Sequence, residues 1–197
     1  MKKIIILVLV YCLIQGCATI DQFNVDANKS KRFPPVQEMK VGVLTFIAPA
    51  PGVSKYSTLG PEGTYTTPAN AGVAVADAVS PELMNIPHII LIERSQLEKI
   101  LNEHQLSLSG VVNNPDFTLL GRILPVDALL IGNVTNFTYW HEALNWGVSV
   151  AYSARLVNIH TGEVLFTINC SAQKHNGMAD KMSQELAKEA IRKALEK

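Results

Sequence analysis

Residues 127–173 constrain the fold most, because three strand-like stretches follow one another there with short turns between them. The stretches read DALLIGNVTNFTYW, WGVSVAYSARLVNI and EVLFTINCSAQ, and they are rich in β-branched and aromatic residues. The linking segments are HEALN and a turn at His160-Thr161-Gly162. Since parallel strands need a long crossover, turns this short predict an antiparallel meander.

The first half of the domain alternates strand-like and helical segments. KVGVLTFI at 40–47 and HIILI at 88–92 are nearly continuous apolar runs, which are typical of buried strands. Helical spacing of apolar residues follows each run, and it returns from Ala179 to Lys197. The sequence therefore predicts an α/β fold with a mixed β-sheet covered by helices, ending in the antiparallel meander and a C-terminal helix.

The apolar positions of these elements predict the residues of the core. Large-to-small substitution at such positions is expected to destabilise the fold. The predicted core residues are Val41, Val43, Leu44, Ile90, Leu91, Leu97, Ile100, Leu101, Leu129, Ile131, Leu156 and Val164.

The N-terminus has the layout of a secretory signal. Lys2 and Lys3 precede an apolar run, 4–14, that is shorter than the roughly 20 residues of a membrane span. The stretch LIQGC, ending at Cys17, resembles the bacterial lipobox. This resemblance implies that Cys17 becomes the first mature residue and carries acyl chains, several of which anchor a protein firmly. An ordinary signal peptide with a chance cysteine is the alternative.

The chain is expected to divide into three parts. Residues 1–16 are the lipoprotein signal peptide, and residues 17–38 are the lipidated cysteine and a flexible polar tether. Residues 39–197 form one α/β domain. Within it, residues 48–67 are rich in glycine and proline and are expected to form a long loop.

Charge and cysteine content argue against a nucleic-acid-binding protein and against a domain held together by disulfides. Removal of residues 1–16 leaves 181 residues with a formal charge of −2, so nothing basic remains to follow a nucleic-acid backbone. Cys12 leaves with the signal and Cys17 is acylated, which leaves Cys170 without an internal disulfide partner. Cys170 alternates with apolar residues and is expected to be a small buried hydrophobe rather than a reactive thiol.

No motif for catalysis or for a cofactor stands out. The five histidines are not paired at the spacing that places two metal ligands on one helical face. The chain has no glycine-rich phosphate loop after a strand and no G-x-S-x-G elbow. The sequence therefore predicts a protein that is not an enzyme and that uses neither a cofactor nor a metal.

Aromatic residues cluster around the HEALN turn. Phe137, Tyr139, Trp140 and Trp146 flank it, and both tryptophans of the protein are among them. One interpretation is aromatic packing across the hairpin. The other is a contact surface for a partner or a membrane interface, where amphipathic rings are favoured.

Three stretches resemble the family of the curli secretion lipoprotein CsgG. They are IERSQLEKILNEHQLSLSG, LGRILPVDALLIGNVT and ARLVNIHTGEVLF, together with the early VGVLTF strand and Cys17. The resemblance implies a periplasmic α/β domain with a mixed sheet. It also implies a lipoprotein of the outer membrane. Residue 18, directly after the cysteine, is alanine, and an aspartate at this position would suggest retention in the inner membrane.

The resemblance leads to a leading function and two alternatives. The leading one is a lipid-anchored, non-enzymatic accessory in secretion or surface assembly, whose partners are envelope proteins or a second copy of itself. The first alternative is a pore-forming subunit of a curli-type channel, although only ten residues, 138–147, are left for a membrane hairpin. The second is a lipid-anchored enzyme or an activator of peptidoglycan synthesis.

Overall fold

The computed structural model describes residues 22–56, 63–113, 115–142 and 145–196. Within these ranges the chain forms an eight-stranded mixed sheet with helices on both faces, the α/β architecture that the sequence predicts. The strands are β1 (Gln22–Lys29), β2 (Met39–Val43), β3 (Gly52–Tyr56), β4 (Gly63–Thr67), β5 (Ile89–Ile92), β6 (Ala128–Glu142), β7 (Asn145–Asn158) and β8 (Val164–His175). The helices are α1 (Ala71–Met84), α2 (Arg94–Glu103), α3 (Leu108–Asn113), α4 (Phe117–Ile123) and α5 (Ala179–Glu196).

The strand order is β1-β8-β7-β6-β2-β5. Strand β2 pairs parallel with β5 and with the start of β6, and helical segments supply the long crossovers that parallel pairing needs. Strands β6, β7 and β8 form the predicted antiparallel meander. The hairpin of β3 and β4 joins the sheet through β4, which pairs with the far end of β6.

The turn between β7 and β8 lies where the sequence predicts it. The side chain of Asn158 accepts hydrogen bonds from the backbone N–H groups of His160 and Thr161, at 2.9 and 3.0 Å. Gly162 has a φ of 72°, a left-handed conformation that glycine adopts without steric cost. Local side-chain bonds and one glycine therefore determine where the meander turns.

Helices cover the two faces of the sheet unequally. Helices α1 and α5 pack together on one face, which we call the inner face, and α5 covers β1, β8 and β7 there. On the opposite face, the outer face, α2, α3 and α4 cover only the end of the sheet around β2. The helical core residues there include Leu97, Leu101, Val111 and Leu120, which pack against Leu129, Ile131 and Val157.

Most of the predicted core is buried. The residues that are buried as predicted are Val41, Val43, Leu44, Leu97, Leu101, Leu129, Ile131 and Leu156. Leu91 and Ile100 are half-buried and pack against the two cores.

Two predicted core residues are exposed, so the prediction for them is wrong. Ile90 is 40% exposed because β5 is an edge strand that pairs only with β2. Val164 is 43% exposed because the pairing of β7 with β8 shifts between Leu156 and Val157. A shift of one residue reverses the faces of a strand, and Leu165 is buried in place of Val164.

The expected tether is wrong over residues 22–29, since these form the edge strand β1. Strand β1 pairs antiparallel with β8 along its whole length. Helix α5 secures it, because the Lys193 ammonium donates to the Val25 carbonyl at 2.8 Å and Lys29 donates to the Leu195 carbonyl at 2.8 Å. Only Ala27 of β1 is fully buried, which is why the segment has no clear apolar alternation.

The long loop expected over residues 48–67 instead contains the β3–β4 hairpin. The pairing runs from Gly52 with Thr67 to Tyr56 with Gly63. Its residues are mostly exposed and polar, so no apolar face marked them as strands in the sequence. Strand β4 brings Tyr65 beside Trp140 of β6.

Candidate functional site

The far end of the β6–β7 hairpin carries the aromatic residues that the sequence singles out. The two strands run on to Glu142 and from Asn145, so they extend further into HEALN than expected. Cross-strand pairs join Tyr139 with Val148, Trp140 with Gly147, and His141 with Trp146. Because neighbouring residues of a strand point to opposite faces, Tyr139 and Trp146 lie on the inner face and Trp140 on the outer face.

Phe137 is a core residue and not a contact residue. It is 1% exposed and belongs to the inner-face core, where its ring meets that of Tyr139 edge-on at 6.2 Å between centroids. A ring that is fully buried in the folded domain cannot contact a partner. The prediction of Phe137 as part of a contact surface is therefore wrong.

Tyr139 and Trp146 form what we call the aromatic pair on the inner face. They are 38% and 42% exposed. Desolvation by burial raises the pKa of Tyr139, and the nearby Asp180 carboxylate raises it further. The Tyr139 hydroxyl therefore stays protonated and can donate a hydrogen bond to a partner.

Trp140 belongs to a different environment on the outer face. Its ring lies over Gly147 and meets the ring of His175 edge-on, with 4.8 Å between centroids. A Cβ at Gly147 would lie 2.5 Å from Trp140 Cζ2 and 2.6 Å from the Lys174 carbonyl oxygen, so only glycine admits this arrangement. Tyr65 is the register partner of Trp140 on its other side, which puts three rings in one row across β4, β6 and β8.

Two ring nitrogens of this row are buried without a partner. Within the described part of the chain, neither Trp140 Nε1 nor His175 Nδ1 makes a hydrogen bond. A buried polar group without a partner lowers the stability of the fold by about 1–3 kcal/mol, so such groups are uncommon in native proteins.

Amides and hydroxyls surround the row of rings. The Asn136 amide donates to the Ser149 hydroxyl at 2.7 Å, and the Thr138 hydroxyl donates to the Asn136 side-chain oxygen. Gln173 is the register partner of Ser149 on β8 and is exposed. Together these residues line an open groove of about 590 Å³, which we call the outer groove. Its lining residues are Ser54, Tyr65, Thr67, Asn136, Thr138, Trp140, Glu142, Ser149, Gln173 and His175.

Tyr65, Gln173 and His175 line the groove but do not stand out as site residues in the sequence. Tyr65 lies in the segment expected to be a loop, and the other two lie beyond the aromatic cluster in sequence. The sequence does carry a signal for Gln173, because Asn169, Ser171 and Gln173 alternate with Ile168, Cys170 and Ala172 of β8. The alternation marks a polar face, but only strand pairing shows what lies beside it.

Cys170 is buried, as its alternation with apolar residues predicts. Desolvation raises the pKa of its thiol to about 12, against the opposing effects of the neighbouring Tyr152 hydroxyl and of Lys193. A thiol with such a pKa carries almost no thiolate at neutral pH and is a poor nucleophile.

The described residues contain neither a metal-binding group of side chains nor a helix suited to crossing a membrane. Among the described residues, no three or more histidine, cysteine, aspartate or glutamate side chains are grouped so that they could hold a metal ion. In the same residues, no helix has both the length and the hydropathy that crossing a membrane requires. The predicted lipidation site, Cys17, lies outside the described residues.

Comparison with solved structures identifies proteins of similar fold. PelC from Paraburkholderia phytofirmans, solved as a dodecamer, is 12% identical with a TM-score of 0.53, covering 88% of this chain and 99% of PelC. The lipoprotein GNA1162 from Neisseria meningitidis is 15% identical with a TM-score of 0.58, covering 81% of this chain and 99% of its own. At these identities the likeness concerns the fold.

Comparison of the sequence with known families gives the assignment. No curated protein matches the chain significantly. The model of one family, described as the curli production assembly/transport component CsgG, matches residues 22–143, which run from the start of β1 to the end of β6. The match includes two of the three stretches on which the sequence resemblance rests, and it covers more than half of the chain. The chain is a member of the CsgG family.

Proposed function

We propose that the protein is a non-enzymatic accessory in secretion or in the assembly of surface structures. In this proposal Cys17 carries lipid and anchors the chain to the outer membrane, and the α/β domain lies in the periplasm. The domain acts by binding envelope proteins or further copies of itself. Membership of the CsgG family supports this proposal, because the family description names an assembly and transport component.

The observation that carries the proposal is the aromatic pair of Tyr139 and Trp146. Both residues are partly exposed, on the same face and in neighbouring cross-strand pairs at the end of the hairpin. Aromatic residues are enriched in the cores of protein interfaces, since they bury much area at little cost in side-chain entropy. A hairpin that presents two such rings on one face is suited to docking on another protein.

Self-association has separate support. The structure of PelC, which shares the fold, is that of a dodecamer. A ring of copies requires two different surfaces on each subunit. The aromatic pair is one surface that could serve, and the partner surface would lie elsewhere on the domain.

We expect Cys17→Ser to leave an unprocessed precursor without lipid. Lipid transfer requires the cysteine thiol, and a serine hydroxyl does not replace it. Mass spectrometry of the purified protein, together with its partition between membrane and soluble fractions, measures the effect. Cleavage at a different position in the unaltered protein, with an unmodified Cys17, would contradict the anchor.

We expect Tyr139→Ala combined with Trp146→Ala to abolish binding of the partner while the domain stays folded. Truncation of a central interface aromatic typically costs 2 kcal/mol or more, which is about a thirtyfold loss of affinity for each such residue. Crosslinking and capture from envelope extracts with the lipidated protein measure the loss. The molar mass in detergent shows whether the partner is a second copy.

Phe23→Ala is the matched control for this experiment. Phe23 is an aromatic residue of similar exposure, 45%, on the edge strand β1. Its removal should leave partner capture unchanged. Full capture by the folded double variant would show that the aromatic pair is not the binding surface.

A further inference from the structure

The outer groove lies on the face of the sheet opposite to the aromatic pair and has no role in the function proposed above. Its volume of about 590 Å³ falls within the roughly 300–1,000 Å³ of clefts that bind small molecules. Five strands, β3, β4, β6, β7 and β8, supply its lining residues. A surface built from paired strands holds its side chains in fixed positions, which favours binding.

The rings of the outer groove offer an apolar surface in polar surroundings. Tyr65, Trp140 and His175 lie in one row, and Tyr65 is 41% exposed. The electron-rich faces of such rings attract weakly positive C–H groups. The ring nitrogens Trp140 Nε1 and His175 Nδ1 are buried, so the rings themselves, and not these nitrogens, are what a ligand in the groove would contact. A ligand with C–H faces and hydroxyl groups would match both the rings and their polar surroundings.

The remaining lining side chains are mostly uncharged. Asn136, Thr138, Ser149 and Gln173 offer both donors and acceptors, which is the chemistry that matches hydroxyl and amide groups. Among the described residues that line the groove, none is lysine or arginine, so a phosphate or a carboxylate would have no cationic partner there. Glu142 at one end is the carboxylate of the lining.

From these features we infer that the outer groove binds a neutral carbohydrate chain. The sugar rings stack on Tyr65 and Trp140, and the His175 ring stands edge-on to Trp140 beside them. Their hydroxyl or acetamido groups bond to Asn136, Ser149 and Gln173. The protein would then hold a glycan on one face of its sheet and a protein partner on the other.

The two tryptophans of the chain make a direct test possible, since they lie on opposite faces. In the Trp146→Phe variant, Trp140 is the only tryptophan, and its emission should shift on titration with one of three tetrasaccharides: cellotetraose, maltotetraose or N-acetylated chitotetraose. In the Trp140→Phe variant, Trp146 is the only tryptophan, and its emission should not change with any of them. Both titrations use the lipidated protein in detergent.

Calorimetric titration with the tetrasaccharide that binds then assigns the contacts. We expect Gln173→Ala to weaken binding about two- to tenfold, the loss of one neutral hydrogen bond. Trp140→Ala should weaken it roughly tenfold, because it loses the contact with the tryptophan ring. Trp146→Ala is the control and should bind with unchanged affinity. Gln173→Ala keeps the test informative if Trp140→Ala fails to fold, because Gln173 is exposed.

Three results would overturn the inference. The first is that none of the three tetrasaccharides shifts Trp140 emission or releases heat. The second is that folded Trp140→Ala and Gln173→Ala bind as tightly as the unaltered protein. The third is that Trp140 emission changes with protein concentration in the absence of sugar, which would assign the outer groove to a second copy of the chain.

Discussion

Replacing Phe137 with alanine is expected to lower the free energy of unfolding by about 3–5 kcal/mol, the usual cost of truncating a fully buried phenylalanine. Phe137 is 1% exposed and packs in the inner-face core, between the sheet and the helices that cover it. The ring also meets Tyr139 edge-on, and that contact is lost as well. Denaturant unfolding of the purified protein, followed by circular dichroism, measures the change.

Tyr139→Ala is the matched control, because Tyr139 lies two residues away on the same face and is 38% exposed. Its free energy of unfolding should fall by no more than about 1 kcal/mol, as for most partly exposed positions. The two variants together separate a stability effect from a binding effect. If Phe137→Ala were as stable as Tyr139→Ala, Phe137 would have to be reconsidered as a contact residue.

Replacing Ile131 with alanine is expected to cost about 2–5 kcal/mol, which is the range for truncating a buried isoleucine. Ile131 is 2% exposed and belongs to the outer-face core beneath α2, α3 and α4. That core is small, so the cavity left by three missing carbon atoms has few neighbours that can move into it. Thermal and denaturant unfolding both measure the loss.

Ile90→Ala provides the comparison for Ile131→Ala, since it removes the same atoms from a strand that the sequence also predicts to be buried. Ile90 is 40% exposed on the edge strand β5, so its truncation should cost about 1 kcal/mol or less. Equal losses for the two variants would mean that the edge of the sheet is covered in solution, for example by a second copy of the chain.

The lining of the outer groove shows how far sequence pattern leads to a site. Trp140 stands out in the sequence because it is one of two tryptophans beside a turn. Its neighbours do not stand out, because Tyr65 is 75 positions earlier and His175 is 35 positions later. Only the pairing of β4 with β6, and of β7 with β8, brings these rings into one row.

The sequence by itself determined the class of fold and the order of the elements that bury an apolar face. Apolar runs, helical spacing and short turns are local signals, and the α/β order, the meander and the C-terminal helix follow from them. Strand β1 and the β3–β4 hairpin escaped prediction, because edge strands bury few side chains and so show little apolar alternation. The tertiary structure alone decided which face each aromatic residue occupies. Strand pairing and its register shifts set the faces, and one residue of shift exchanges a buried side chain for an exposed one, as at Val164 and Leu165.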